Sequence, residues 1–258
     1  YDIVASGGTP VYSHNHTTYT VTADSTSING TDYVAYIKDT AGNVTTCSVN
    51  VKKDVTKPVC YITPSGTAGN DDWFRSNVTL YMTVSDNTGR STSNVHQYGI
   101  SGSSTVNYNS RTSWPYSSNT SSDGVNFYCY VEDLAGNVGK NDYNLKIDKT
   151  TPSCKLQVIS GEKGNGNWYI TSPKISFVDS SGNSKAPTDS NSGILGYNIS
   201  SSSTSSFYYS SLTTTVYSNT PSTGRTYYGH VSDNAGNVGR CEILIYRDSS
   251  APRCTVVI

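Results

Sequence analysis

The chain has 258 residues, and its 18 Lys+Arg against 19 Asp+Glu leave a formal charge of −1, no field to draw in nucleic acid or an anionic membrane. No apolar run reaches the roughly 18 residues of a membrane helix, and no charged-then-apolar leader opens the sequence, so no membrane insertion is expected of this segment. Only 14% of residues are charged, while Tyr (21 copies), Ser, Thr, Asn and Gly dominate, a profile of β-rich extracellular protein.

Short alternating stretches follow one another along the chain: TYTVTA (18–23), YVAYIK (33–38), TLYMTV (79–84), FYCYVE (127–132), KISFVD (174–179) and YYGHVS (227–232). Each is rich in β-branched and aromatic residues and bounded by Gly, Asn, Ser or Asp, which predicts strands and an all-β fold. One phrase recurs after the strands at 33–38, 127–132 and 227–232: DTAGNV (39–44), DLAGNV (133–138) and DNAGNV (233–238). The copies lie 94 and 100 residues apart, the length of a seven- or eight-stranded sandwich. Other landmarks keep step, namely YDIV (1–4), YGIS (98–101) and YNIS (197–200) before the phrase, and KKDVTKPVC, KIDKTTPSC and YRDSSAPRC after it. NDDWFRSNVTL (70–80) answers GNWYITSPKIS (166–176).

The phrase reads as a hairpin between the last two strands of each repeat. Asp39, Asp133 and Asp233 lead the turn because a carboxylate accepts backbone N–H bonds from residues just ahead, and Gly42, Gly136 and Gly236 supply positive φ. Asn43, Asn137 and Asn237 follow with a short amide able to tie down leftover backbone groups. On the incoming strand, Tyr33, Ala35 and Ile37, then Phe127, Cys129 and Val131, then Tyr227, Gly229 and Val231 share one face, expected to be the core face. The rival reading is a metal loop, yet calcium takes six or more oxygens and no phrase supplies them alone.

These signatures divide the chain into a partial repeat (1–56), two complete repeats (57–150 and 151–250) and the first strand of another (251–258), as in a piece of a longer tandem chain. An alternative has the tail PRCTVVI of another copy add a strand to the partial repeat. The linkers carry Asp54 and Pro58, Asp148 and Pro152, Asp248 and Pro252; Pro stiffens each connection, and the three Asp are candidate calcium ligands at the junctions. No other cofactor is expected.

The GNxW(Y/F)xxS segment, the D-x-A-G-N hairpin and the D-x-x-x-P linker together resemble the bacterial immunoglobulin-like repeats of large surface proteins. The resemblance covers both complete repeats and the later strands of the first. It implies tandem immunoglobulin-like β-sandwiches arranged end to end, forming a stalk or adhesin arm without enzymatic activity. Its partners would be neighbouring repeats and a cell-surface protein or glycan.

Six cysteines obey the same phase. Cys60, Cys154 and Cys254 each sit two residues past the linker Pro, Cys47 and Cys241 eight past the turn Asp, and Cys129 four before it. One early and one late cysteine per complete repeat predicts Cys60 with Cys129 and Cys154 with Cys241, leaving Cys47 and Cys254 to partners outside the sequence. Closing such loops stabilises by about 4–5 kcal/mol at most in the chain-entropy model and points to an oxidising, extracellular setting.

Catalytic patterns are poor. The histidines His14, His16, His96 and His230 fall at non-equivalent repeat positions, although His14 and His16 are spaced to share a strand face and a metal. No G-x-S-x-G, H-E-x-x-H or phosphate-cradling loop occurs, and only three Glu are present, so no enzyme is expected. Trp73 and Trp168 match between repeats and read as packing residues; Trp114 has no counterpart and is the candidate for ligand binding. Tyr-rich FYYSS (207–211) and TYYGH (226–230) are further candidate contact segments, and N-x-S/T sequons begin at Asn15, Asn29, Asn43, Asn77, Asn119 and Asn198. The functional expectation is an extracellular stalk or adhesin arm; the alternatives are a self-assembling surface filament subunit and a carbohydrate-binding accessory of a secreted hydrolase.

Overall fold

The computed structural model describes residues 1–13, 16–25, 27–86, 94–204 and 210–256. The strands are β1 (Asp2–Ala5), β2 (Thr31–Lys38), β3 (Val44–Val51), β4 (Val59–Ser65), β5 (Trp73–Phe74), β6 (Val78–Ser85), β7 (Val95–Ser101), β8 (Ser113–Tyr116), β9 (Val125–Asp133) and β10 (Val138–Ile147). They continue as β11 (Leu156–Ser160), β12 (Trp168–Tyr169), β13 (Lys174–Phe177), β14 (Ile194–Ser200), β15 (Thr213–Thr215), β16 (Arg225–Asp233) and β17 (Val238–Arg247). The fold is all-β with an immunoglobulin-like strand order: β4-β6-β8 with β5-β10-β9-β7, then β11-β13-β15 with β12-β17-β16-β14. A lone β1-β2-β3 sheet precedes them.

By contact density the chain forms two compact units, one of Tyr1–Ser65, Thr79–Pro115 and Asn126–Asn144, the other of Gly66–Val78, Tyr116–Val125 and Leu145–Ile258. In the second unit, Leu156, Ile175 and Phe177 from one sheet meet Ile199, Tyr227, Val231 and Ile245 from the other in a single buried cluster. These positions alternate along their strands, so period-two patterning delivers a continuous apolar layer, each large side chain contributing about 1.5–3 kcal/mol by leaving water. Cys154 and Cys241 are joined beside this core. In the first unit the alternate residues Phe127, Cys129 and Val131 of β9 are buried, as are Leu80 and Met82 of β6, and Cys60 is joined to Cys129.

Two sequence expectations fail. Residues 18–23 form no strand; the carbonyls of Val21 and Thr22 accept from the Lys53 ammonium at 3.0 and 2.7 Å instead of from a sheet neighbour. The Tyr33, Ala35 and Ile37 face is not a buried core: Tyr33 and Ala35 are half-buried and Ile37 is 50% exposed. Patterning prepares a face for burial, but no second sheet covers this one among the described residues. His14, Asn15 and 207–209 of FYYSS lie outside the described residues.

Candidate functional site at the inter-repeat junctions

Each Asp-led turn is closed in the same way. In the first copy the Asn43 backbone N–H and side-chain amide donate to the two carboxylate oxygens of Asp39, both at 2.8 Å, and Gly42 takes φ +98°. Asp133 accepts from Ala135 N–H and Asn137 N–H at 2.9 Å, and Asp233 from Asn237 N–H at 2.7 Å, with Gly136 and Gly236 at φ +90°. The carboxylate thus satisfies the amides that a tight reversal strips from the ladder.

The Asn has a second task in two of the three turns. Besides holding its own Asp at 2.8 Å, the Asn137 amide donates to the Asp54 carbonyl at 3.1 Å. Asn237 repeats this, 2.9 Å to Asp233 and 3.0 Å to the Asp148 carbonyl. The turn of one repeat therefore clamps the linker that ends the preceding one. Around the second junction, Asp148 accepts from Ser192 Oγ at 2.6 Å and Ser192 N–H at 3.1 Å, and Asn191 donates to the Thr120 carbonyl at 3.1 Å. Arg75 reaches the Gly236 carbonyl at 3.3 Å, and Asn70 N–H the Ala235 carbonyl at 3.2 Å.

Carboxylates gather at both clamps. Oxygens of Asp148, Asp189 and Asp233 lie within 4.8 Å of one another, and those of Asp54, Asp86 and Asp133 do likewise. Asp148 and Asp233 are fully buried, so desolvation pushes the Asp233 carboxyl up, the Asn237 bonds oppose this, and the charges of Asp148 and Asp189 add to the rise. Asp39, exposed in the same turn, is held below its ordinary value by the Asn43 side-chain and backbone bonds. These triads are where a divalent cation could be held; calcium would need further oxygens from carbonyls or water to reach six to eight. Asp248 belongs to neither group: it is exposed and accepts from Asn219 at 2.9 Å and Ser250 N–H at 2.8 Å. Asp86 and Asp189 had not been singled out in the sequence.

The Pro residues of the linkers adjoin a tight seam. A Cβ on Gly139 would lie 1.8 Å from the Pro58 carbonyl oxygen, and one on Gly239 1.9 Å from that of Pro152. Pro252 is exposed. Cys47 and Cys254 are exposed thiols.

Trp73 is buried and Trp168 half-buried, with its ring 5.5 Å from that of Tyr246. Trp114 is half-buried on β8, its ring 6.1 Å from Phe127 and capped by the Arg111 guanidinium at 5.1 Å. His16 contacts Asp2 at 3.2 Å. Surface candidates that sequence reading missed are the exposed Tyr61 and Tyr81, diagonal neighbours on β4 and β6, and a cleft of about 650 Å³ lined by Lys57, Tyr61, Val106, Tyr130 and Lys140. No described helix is long and apolar enough to cross a membrane.

Strand order, doubled turns and paired disulfides define a protein of immunoglobulin-like sandwich repeats. No protein-family model matches the chain, and no curated protein matches its sequence. Similar solved structures include three N-terminal domains of the bacteriophage RB49 highly immunogenic outer capsid protein (14% identity, 74% of this chain, 59% of that one, TM-score 0.30). The eight N-terminal immunoglobulin domains of Down syndrome cell adhesion molecule align at 11% identity over 84% of this chain and 27% of that one, TM-score 0.41. A tetra-tandem repeat from the extending region of a large adhesion protein aligns at 16% identity over 85% and 56%, TM-score 0.31. The aligned region thus spans 59% and 27% of the first two chains.

Proposed function

We propose that this chain is a run of immunoglobulin-like repeats serving as a non-enzymatic spacer or adhesin arm on a bacterial surface, within the family of bacterial immunoglobulin-like repeats suggested by its motifs. The observation that carries the reading is the repeated clamp, Asn137 on Asp54 and Asn237 on Asp148, which ties successive repeats by the same bond. The hairpin phrase is then explained without chemistry at a substrate, and the disulfides fit an extracellular, oxidising location. Its partners are neighbouring repeats and a surface protein or glycan.

The test places the chain between a cell-wall anchor and an antibody epitope. Antibody access should rise relative to the anchor alone, and fall when Cys60→Ser and Cys154→Ser are combined. Equal access with and without the chain would remove the spacer reading. Saturable glycan binding lost on Trp114→Ala would instead assign a carbohydrate-binding module.

A further inference from the structure

The outward residues of β4 in the first complete repeat are apolar where those of the next repeat are not. Val59 and Tyr61, one residue past Pro58 and one past Cys60, are 43% and 57% exposed, whereas the matching Ser153 and Lys155 present polar side chains to water. Tyr81 of β6, diagonal to Tyr61 on the same sheet face, is a second exposed ring. The fold therefore does not require these side chains. An exposed apolar patch that one repeat has and its twin lacks marks a contact surface. Tyr61 also lines the cleft of about 650 Å³ described above, a volume within the roughly 300–1,000 Å³ of small-ligand sites.

The walls of this cleft are fixed, and its charge is of one sign. Tyr130, buried on β9, donates its hydroxyl to the Ser104 carbonyl and so pins the segment that carries Val106. The Asn141 amide donates to the Cys60 carbonyl at 3.2 Å, tying β10 to β4. Lys57 and Lys140 line the same space; among the described residues neither ammonium has a carboxylate partner, and no Asp or Glu lines the cleft. In the next repeat Thr151 takes the place of Lys57, and Arg240, in the place of Lys140, is drawn over the Tyr228 ring at 5.0 Å. Two cations without a counter-charge beside an exposed aromatic ring suit an anion carried on a ring with an apolar face. We propose that this cleft binds a carboxylated saccharide, a sialic or uronic acid unit, whose C–H face stacks on Tyr61 while its carboxylate is met by Lys57 and Lys140. A small walled cleft suits a terminal sugar better than a length of polypeptide. Because its walls are held before the ligand arrives, little ordering opposes binding. The inference rests on the surface-arm reading above and names the class of glycan that such an arm meets.

The experiment titrates the whole chain with sialyllactose, a hyaluronan tetrasaccharide, neutral lactose and a hexaglutamate peptide, following backbone amide shifts by NMR. At least one acidic saccharide should give saturable shifts at Tyr61, Lys140 and Asn141, and which of the two does so separates sialic from uronic acid. Lactose and the peptide should give none. Tyr61→Thr, which matches the Thr63 and Thr83 beside it, and Lys57→Gln and Lys140→Gln should each weaken the acidic saccharide about tenfold. No saturable shift with either acidic saccharide up to about 10 mM, equal binding of lactose, binding of hexaglutamate in their place, or an affinity indifferent to the three substitutions overturns the inference. Mapping Cys60–Cys129 in each variant shows that the repeat is still folded. The spacer assay above reads antibody reach without any ligand, so failure of the cleft and failure of the surface-arm reading are distinguishable.

Discussion

Asp39 and Asp233 occupy the same place in the same phrase, yet their carboxyls move in opposite directions, because one turn faces water and the other is buried beside two more carboxylates. For Asp233 the folded state holds its proton to higher pH than the unfolded chain. The protonated form therefore contributes stability in full below the ordinary 3.8, and that contribution is lost as pH rises through the elevated folded value. Neutral pH leaves like charges facing each other. Asp189→Asn should then raise the midpoint of thermal unfolding at pH 7 by the equivalent of on the order of 1 kcal/mol. The Asn oxygen can still accept from Asn191 and Gly193 N–H, which Asp189 now holds at 3.0 and 2.9 Å. Differential scanning calorimetry with and without a chelator checks this: the gain should be equal in both. A variant less stable than wild type only when calcium is present would instead make the triad a cation site. Asn237→Ala removes bonds to Asp148 and Asp233 together, and should destabilise by about 1–3 kcal/mol in urea denaturation.

At the scale of strands, the seam between linker and last strand decides how closely repeats can be packed. The Pro58 and Pro152 carbonyls pass so near Gly139 and Gly239 that a methyl group cannot fit without moving backbone. Gly239→Ala should therefore cost about 1–3 kcal/mol, while Gly166→Ala, at a left-handed turn with open space around it, costs its backbone strain alone, about 1–2 kcal/mol. Chemical denaturation of both, with hydrogen exchange at β17, separates a seam defect from a turn defect. The seam had a sequence signal in AGNVG at 135–139 and 235–239 against AGNVT at 41–45. Strands were legible because period-two alternation and Asp-Gly punctuation are local. The 18–23 stretch misled for the same reason: alternation describes a chain suited to a sheet, whereas a ladder needs a neighbour. The triads were only half legible. Asp133 and Asp233 stand at fixed repeat positions, but Asp86 follows β6 directly and Asp189 lies five residues before β14, so no common spacing marks the third carboxylate.

For the molecule as a whole, the two disulfides set how much chain can extend when it is pulled. Cys60–Cys129 and Cys154–Cys241 enclose separations of 69 and 87 residues. At about 3.3–3.6 Å per residue, they hide about 230–250 Å and 290–310 Å of contour. Single-molecule extension of oxidised and reduced chain should show unfolding steps lengthened by these two amounts on reduction. Steps unchanged by reductant would mean that the bonds are absent in solution.

The short strands β5 and β12 run parallel to the ends of β10 and β17, Trp73 beside Lys146 and Trp168 beside Tyr246. Both short strands lie inside the disulfide-bridged segments, so in the oxidised chain tension crosses from Cys60 to Cys129 and from Cys154 to Cys241 without loading them. Once the bridges are reduced, tension entering through the first strands of a repeat and leaving through its last would drag each pair in opposite senses along a common axis. Their bonds would then have to break together in shear, not one by one like a zip.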